Sequence, residues 1–413
     1  MTEGTLRRAA FWLVMLGAAG TFALTMGARQ SMGLFLPSLN TSTGLGLGSI
    51  SLAFAFGQLW WGLTQPFAGA MADKYGAGRV LVIGLVLLAI GTVITPYMTT
   101  TIGLVIAIGV LASGGSGMAG PAVLMSASVR MIAPEKRGIA TGIVNAGGSF
   151  GQFITAPIAA ALIVGIGWAA AMQALGLMVL LCLPAAWVLR GTPVHGAGAS
   201  GAAARPVGAG AAVKEALRHP GYVLLAIGFF VCGFHVAFLA VHLPGVVASC
   251  GLPTQWGGWA LAMLGLFNIV GSLAIGWAVG RWRMKTLLSL IYAARALAVL
   301  VFLLAPKTGP VVLVFSAVMG LTFLSTVPPT AGLVTKFFGP ANMATLFGVV
   351  MLTHQVGAFF GSWLGGKVFE ATGNYDWVWY IDIVLAVGAA LIHLPIPEEP
   401  LPARQQPAAT AAY

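Results

Sequence analysis

The 413-residue chain is 59% hydrophobic and only 7% charged, with 57 glycines and a formal net charge of +11. So little charge cannot cover a soluble domain, whereas a bundle solvated by lipid has no need of it; the composition argues against a water-soluble globular protein and describes a polytopic membrane protein. Nor does the positive balance mark a nucleic-acid binder, because the basic residues fall in alternate connections between apolar runs rather than in one patch.

The first apolar run, 11–39, follows Arg7 and Arg8; it is too long for a signal peptide and reads as a retained span. Its interior holds Arg29 and no other charge. A guanidinium stays protonated, and placing one mid-membrane costs about 2.5–3.5 kcal/mol on insertion scales, so it requires a polar cavity or a negative partner. Arg29 is therefore a candidate for binding a substrate carboxylate, the competing reading being a clamp on backbone carbonyls.

Further runs of spanning length lie at about 45–71, 80–98, 102–129, 138–165, 168–190, 220–248, 254–280, 286–305, 310–334, 343–369 and 377–396, which makes twelve in all. Open strand edges cannot be satisfied in lipid, so these are helices. Gln58, Trp61 and Gln65 share one face of the second run, Asn145, Ser149 and Gln152 one face of the fifth, and Asn268 and Ser272 one face of the eighth. Such stripes either line a cavity or bond neighbouring helices, and Asn145 and Asn268 are the ones expected in a cavity. Glycines of the fourth, fifth and eleventh runs permit close helix approach, and Pro328-Pro329 is expected to kink the tenth.

Six runs lie on either side of a Gly/Ala-rich connection whose composition cannot bury a core. The expected organisation is an N-terminal six-helix bundle at 1–190, a cytoplasmic linker at 191–219 with a short interfacial helix at 213–218, and a C-terminal six-helix bundle with a short cytoplasmic tail at 220–413. Connections on one side carry Lys74 and Arg79, Lys136 and Arg137, Arg281, Arg283 and Lys285, and Lys336, against only Lys307 and Lys367 on the other. The positive-inside rule places both termini in the cytoplasm of a cell with the chain in its inner or plasma membrane.

The second half echoes the first. Arg130, Pro134 and Gly142 recur as Lys336, Pro340 and Gly348 at an offset of 206 (336 − 130, 340 − 134, 348 − 142), and the same shift carries Gly27 and Arg29 onto Gly233 and His235. Duplication of this length is the mark of a transporter whose site lies between its repeats. Inside the spans are Arg29, His235, His242, Arg295 and His354, and only one acid, Asp382, close to the outer end of the last span. Buried positive charge of this kind is complementary to an anion. Proton coupling falls to His235 or His354, each also readable as a packing residue. Cys182, Cys232 and Cys250 show no metal-ligand spacing and read as packing residues; no metal, cofactor or enzymatic constellation is indicated.

Gly69, Asp73, Lys74, Gly76 and Arg79, between the second and third runs, resemble the loop signature of the major facilitator superfamily. The resemblance implies an all-α fold of twelve transmembrane helices in two pseudo-symmetric six-helix bundles, with these five residues as a gating latch in which Asp73 pairs in one conformation and opens in the other. Arg29 with Gln30 and Ser31, and Glu135 to Gly138 opening the fifth run, are similar to monocarboxylate transporters and oxalate:formate antiporters. That likeness places the cation of the first span at Arg29 and a span-eleven cationic position at His354. It also implies an arginine in the eighth span, where this chain has Asn268 to Ser272 and nothing cationic.

The function expected is secondary active transport of a small organic anion, a monocarboxylate first, by proton symport or anion exchange with alternating access. The substrate-binding set is Arg29, His235, His354, Asn145 and Asn268. The partners are that anion, protons or a counter-anion and the lipid bilayer, with the chain a monomer and no nucleic acid involved. The competing readings are an exporter of amphipathic compounds and a non-transporting membrane sensor.

Overall fold

A computed structural model describes residues 3–131, 137–190, 209–339 and 343–398. Among them every long element is a helix and no strand occurs. The first span is α1 (Glu3–Ser31), a 3-10 turn (Met32–Phe35) and α2 (Leu36–Thr43); the second is α3 (Leu47–Tyr75) and the third α4 (Ala77–Ile94). The fourth runs through α5 (Thr101–Leu104), a π-helical stretch (Val105–Ala112), α6 (Ser113–Met118) and α7 (Pro121–Arg130). The fifth is α8 (Arg137–Ile166), and the sixth α9 (Trp168–Met178) and α10 (Leu183–Val188) joined by a 3-10 turn. After a short α11 (Ala209–Ala216), which lies a few residues earlier than the sequence implied, come α12 (Pro220–Ser249), α13 (Thr254–Ala278) and α14 (Met284–Leu304). The tenth span is split into α15 (Gly309–Thr322) and α16 (Val327–Phe338), and α17 (Met343–Thr372) and α18 (Asp376–His393) complete the set.

Eleven of these spans are long and apolar enough to cross a membrane. The second span, α3, is 29 residues long, and its lower apolarity comes from Gln58 and Gln65 in its middle. Two boundaries differ from expectation for clear reasons. The stretch read as a loop after the second span is almost wholly helical: α3 runs to Tyr75 and α4 starts at Ala77. Only Gly76 interrupts them, at φ 91°, a conformation that needs glycine. In the tenth span the chain breaks at 323–326 rather than bending at Pro328-Pro329; the prolines sit in the first turn of α16, where a missing N–H costs nothing.

The repeat seen in the sequence is a repeat of packing. In the first half α1 packs on α8, α3 on α6 and α4 on α9; in the second, α12 packs on α17, α13 on α15 and α14 on α18. Glycines at the 206 offset set the closest crossings. A Cβ on Gly151 would strike the Ala23 carbonyl oxygen, and one on Gly357 the Phe230 carbonyl oxygen; Gly27 and Gly233 face them across the same two crossings.

The halves meet chiefly through two helix pairs, α3 with α17 and α8 with α13, and also where the 3-10 turn of the first span packs on α12. At the end away from the basic connections these pairs are tight. Gly46 and Gly48 lie against Glu370, Gly366 against Ser51 and Leu47, and Gly258 against Ala156 and Ala160. Towards the basic end a cleft opens between α3 and α17, and a Cβ on Gly69 or Gly348 at its border would meet nothing within 4 Å. The described molecule is thus closed between its halves at one end and parted at the other.

Candidate functional site

Arg29 lies near the end of α1, where a 3-10 turn begins to unwind the span. Glycines fix its place on both sides. A Cβ on Gly27 would come within 2.8 Å of the Gly151 carbonyl oxygen, and one on Gly33 within 2.6 Å of the Val241 carbonyl oxygen, so α1 is pressed on α8 before Arg29 and the 3-10 turn on α12 after it. From there the guanidinium reaches α3. It donates to Gln58 Oε1 and lies over the Trp61 ring, 4.5 Å from the centroid. A cation over indole contributes about 0.5–2 kcal/mol, which offsets part of the cost of burying the charge.

A guanidinium has five N–H donors, and among the described residues Gln58 is the acceptor that this one meets. The side chain borders a cavity of about 30 Å³ whose wall includes Gln58, Phe54 and Ser113 of the first half and Ala240 and Val241 of the second. No carboxylate lines it. Arg29 is therefore bound on one face by Gln58 and Trp61 and borders a cavity at the junction of the halves.

The second intramembrane arginine has the opposite surroundings. Arg295 on α14 is 1% exposed and donates to the carbonyl oxygens of Thr322 and, at 2.9 Å, Phe323. Those carbonyls are the ones freed where α15 stops, so Arg295 caps a broken helix and is a structural charge. The other side of that break is held by Asn268, whose Oδ1 accepts from Leu324 N at 3.1 Å and from Ser272 Oγ at 3.2 Å. Asn268 Nδ2 donates to Ser149 Oγ at 3.0 Å, across the two halves. Asn268 is thus a buried clamp away from the Arg29 cavity, and Asn145, one turn from Ser149 on α8, is exposed.

His235 and His354 also lie off that cavity. His354 is 7% exposed, packs on the Phe229 ring at 5.0 Å and sits beside the Cys232 thiol, which is 3.1 Å from Thr326 Oγ1. His235 shares the depth of Arg29 but points to α18, where its Nε2 is 3.0 Å from Asp382 Oδ1. The 206 offset matched the backbones of the two positions and not the directions of their side chains. Of the gating set, Gly69 has open space beside it, Lys74 and Arg79 are exposed, and the side chain of Asp73 lies outside the described residues.

Sequence reasoning passed over two partners. Trp61 as the platform for Arg29 was readable only as one member of a polar stripe, and Asp382 only as an acid near a helix end. A sharper signal for Asp382 exists: it shares with Ala386, Ala389 and His393 the spacing of one buried face of α18.

A sequence model of the Major Facilitator Superfamily matches residues 18–362 and again 258–412. The chain belongs to the Major Facilitator Superfamily. Monocarboxylate transporter 13 of Bos taurus is 25% identical to this transporter, covering 93% of this chain and 89% of the relative. An uncharacterized MFS-type transporter, YcxA of Bacillus subtilis (strain 168), is 24% identical over 93% of this chain and 94% of its own length. A crystal structure of the nucleoside transporter NupG superposes with a TM-score of 0.77 over 94% of this chain and 99% of that one at 16% identity, which bears on the fold alone. The superfamily membership and the fold make this a multi-pass membrane transporter.

Proposed function

We propose that this transporter moves a small organic anion, a monocarboxylate first, by alternating access of its two halves, with Arg29 binding the carboxylate. One observation carries the reading: the Arg29 guanidinium, fixed by Gln58 and Trp61, retains free donors toward a junction cavity that no acidic side chain lines. Two parallel N–H groups match two carboxylate oxygens, and the anion neutralises the buried charge as it binds. The likeness to a monocarboxylate transporter supports the substrate class. Drive comes from a proton gradient or from exchange against a second anion. The basic end, where the halves part, faces the cytoplasm under the positive-inside rule, so the described state is inward-facing.

The test is a thermal-shift series on purified protein with acetate, pyruvate, lactate and oxalate, repeated on Arg29→Gln. Stabilisation by at least one acid that vanishes in the variant supports the reading; stabilisation that persists unchanged overturns it. A second reading has its own observation. A cleft of about 730 Å³ between α3 and α17 is lined by apolar residues such as Leu63, Pro66 and Leu352, with Gln65 and Gln355 at its wall. That shape suits an amphipathic guest, and stabilisation by a long-chain amphiphile that ignores Arg29→Gln would favour it.

A further inference from the structure

We infer that His235 and Asp382 together form a proton-binding site behind the wall of the substrate cavity. Its part in coupling rests on the anion-transport reading above; proton binding itself does not. The two side chains are 1% and 0% exposed, with Nε2 and Oδ1 3.0 Å apart. That is ion-pair distance, yet neither atom is aligned for a formed hydrogen bond, and His235 Nδ1 and both Asp382 oxygens have no other hydrogen-bond partner. Asp382 is the one carboxylate buried inside a span among the described side chains.

The neighbouring polar groups have their contacts elsewhere, although Arg295 Nη1, His242 Nδ1 and His354 Nδ1 are likewise buried without a hydrogen-bond partner. From α14, Arg295 is bound to the carbonyls of the α15 break and the Tyr292 hydroxyl donates to Gly228 O at 2.5 Å. From α18, His393 Nδ1 is 2.6 Å from Ala389 O, and on α12 itself His242 Nε2 is 2.7 Å from Ser362 O. From α17, His354 lies beside Cys232, and Arg29 on α1 is turned to Gln58. None of them meets Asp382, which leaves His235 as its partner.

An isolated carboxylate in a dry interior is expensive, and an imidazole at contact distance gives it a proton to share. The proton belongs to the pair rather than to either residue. Without it the pair carries one negative charge; one proton taken from water makes the pair neutral overall. In the loaded transporter the substrate anion neutralises Arg29 and the proton neutralises Asp382, so neither site holds bare charge when the halves reorient.

The link between the sites is α12. Ala240 and Val241, which wall the Arg29 cavity, follow His235 by five and six residues, about 7.5–9 Å along the helix and on its far side. Protonation therefore acts on the attachment of α12 to α18 directly behind the cavity wall.

The deciding experiment needs no substrate. Purified protein in detergent and weak buffer is stepped from about pH 8 to about pH 5, and proton uptake is read with an indicator dye. Wild type is compared with Asp382→Asn and with the double variant His235→Gln, Asp382→Asn, which keeps a neutral amide pair in the same space. Because the proton is held by the pair together, both variants should take up about one proton fewer per chain. Equal uptake by wild type and a monodisperse double variant overturns the site. A second arm uses labelled pyruvate in proteoliposomes. Uptake driven by a pH gradient should fall at least tenfold in the double variant while counterflow exchange stays within about twofold, and retained gradient drive overturns the role in coupling. If wild type carries no pyruvate, the substrate reading fails, and the dye titration still decides the proton site.

Discussion

Arg29 and Arg295 impose similar costs on a membrane bundle and are met in different ways. Arg295 is sealed in the bundle with one nitrogen on backbone carbonyls that a broken helix leaves open, whereas Arg29 rests on an indole ring and one amide oxygen and borders a cavity. If Arg29 serves as a two-pronged carboxylate clamp, charge alone will not replace it. Arg29→Lys should weaken binding of the best short acid by at least tenfold, about 1.4 kcal/mol, measured by calorimetry on purified protein. Affinity within twofold of wild type would mean that the site reads charge and not geometry.

His219 carries a prediction that belongs to the same scale and lies outside the membrane-spanning segments. Its Nδ1 accepts the N–H of Tyr222 at 3.1 Å and so caps α12, which requires a free lone pair on that nitrogen. Burial against Phe337 lowers the pKa of His219 from the ordinary histidine value. The sign follows: as pH falls through about 6.5 the unfolded chain takes up the proton first, so stability is complete above that value and declines below it. His219→Asn retains a capping oxygen without the titration. Its melting temperature should fall less than that of wild type between about pH 7.5 and about pH 5.5, and equal falls would remove His219 from the pH response.

At the scale of helices, glycine decides which pairs pack most closely. Gly151 meets the Ala23 backbone where α1 crosses α8, and Gly357 meets the Phe230 backbone where α12 crosses α17. Backbone cannot move aside as a flexible side chain can, so Gly151→Ala and Gly357→Ala should each cost on the order of 1–3 kcal/mol, read as a lower melting temperature and poorer yield. Gly388 on α18 has nothing within 4 Å of a Cβ, and Gly388→Ala should be neutral or stabilising by up to about 1 kcal/mol from helix propensity. Equal effects at the three positions would refute the packing argument.

At the scale of the whole molecule, the closed end depends on a carboxylate set against a helix start. Glu370 of α17 lies where a Cβ on Gly46 would fall, 2.5 Å from its Oε1, at the N-terminus of α3, and it is tied to Lys367 at 3.1 Å. The positive end of the α3 dipole attracts that charge across the two halves. Gly48→Leu would fill the space occupied by Glu370 and the Lys367 methylenes and should part the halves at this end. Spin labels at Ser42 and Ala371 should report a longer, broader distance in the variant than in wild type, and an unchanged distribution would exclude this contact as a seal.

The amino-acid sequence by itself determined the membrane setting, the number and approximate limits of the spans, the duplication and the exceptional place of Arg29. Those properties follow from composition, apolar run length and the cost of charge in lipid, all of which are local. It also marked Gln58 and Trp61 as one stripe of α3 and Asp382 as a lone intramembrane acid, without saying what either would meet. Only the tertiary structure decided that Gln58 and Trp61 turn to Arg29, that Arg295 is consumed by the α15 break, and that His235 turns its back on the cavity to meet Asp382. The physical reason is the same in each case. A helix fixes which residues share a face, but the partner of that face is set by how separate helices cross, and those crossings depend on glycines and backbone oxygens far apart in the chain.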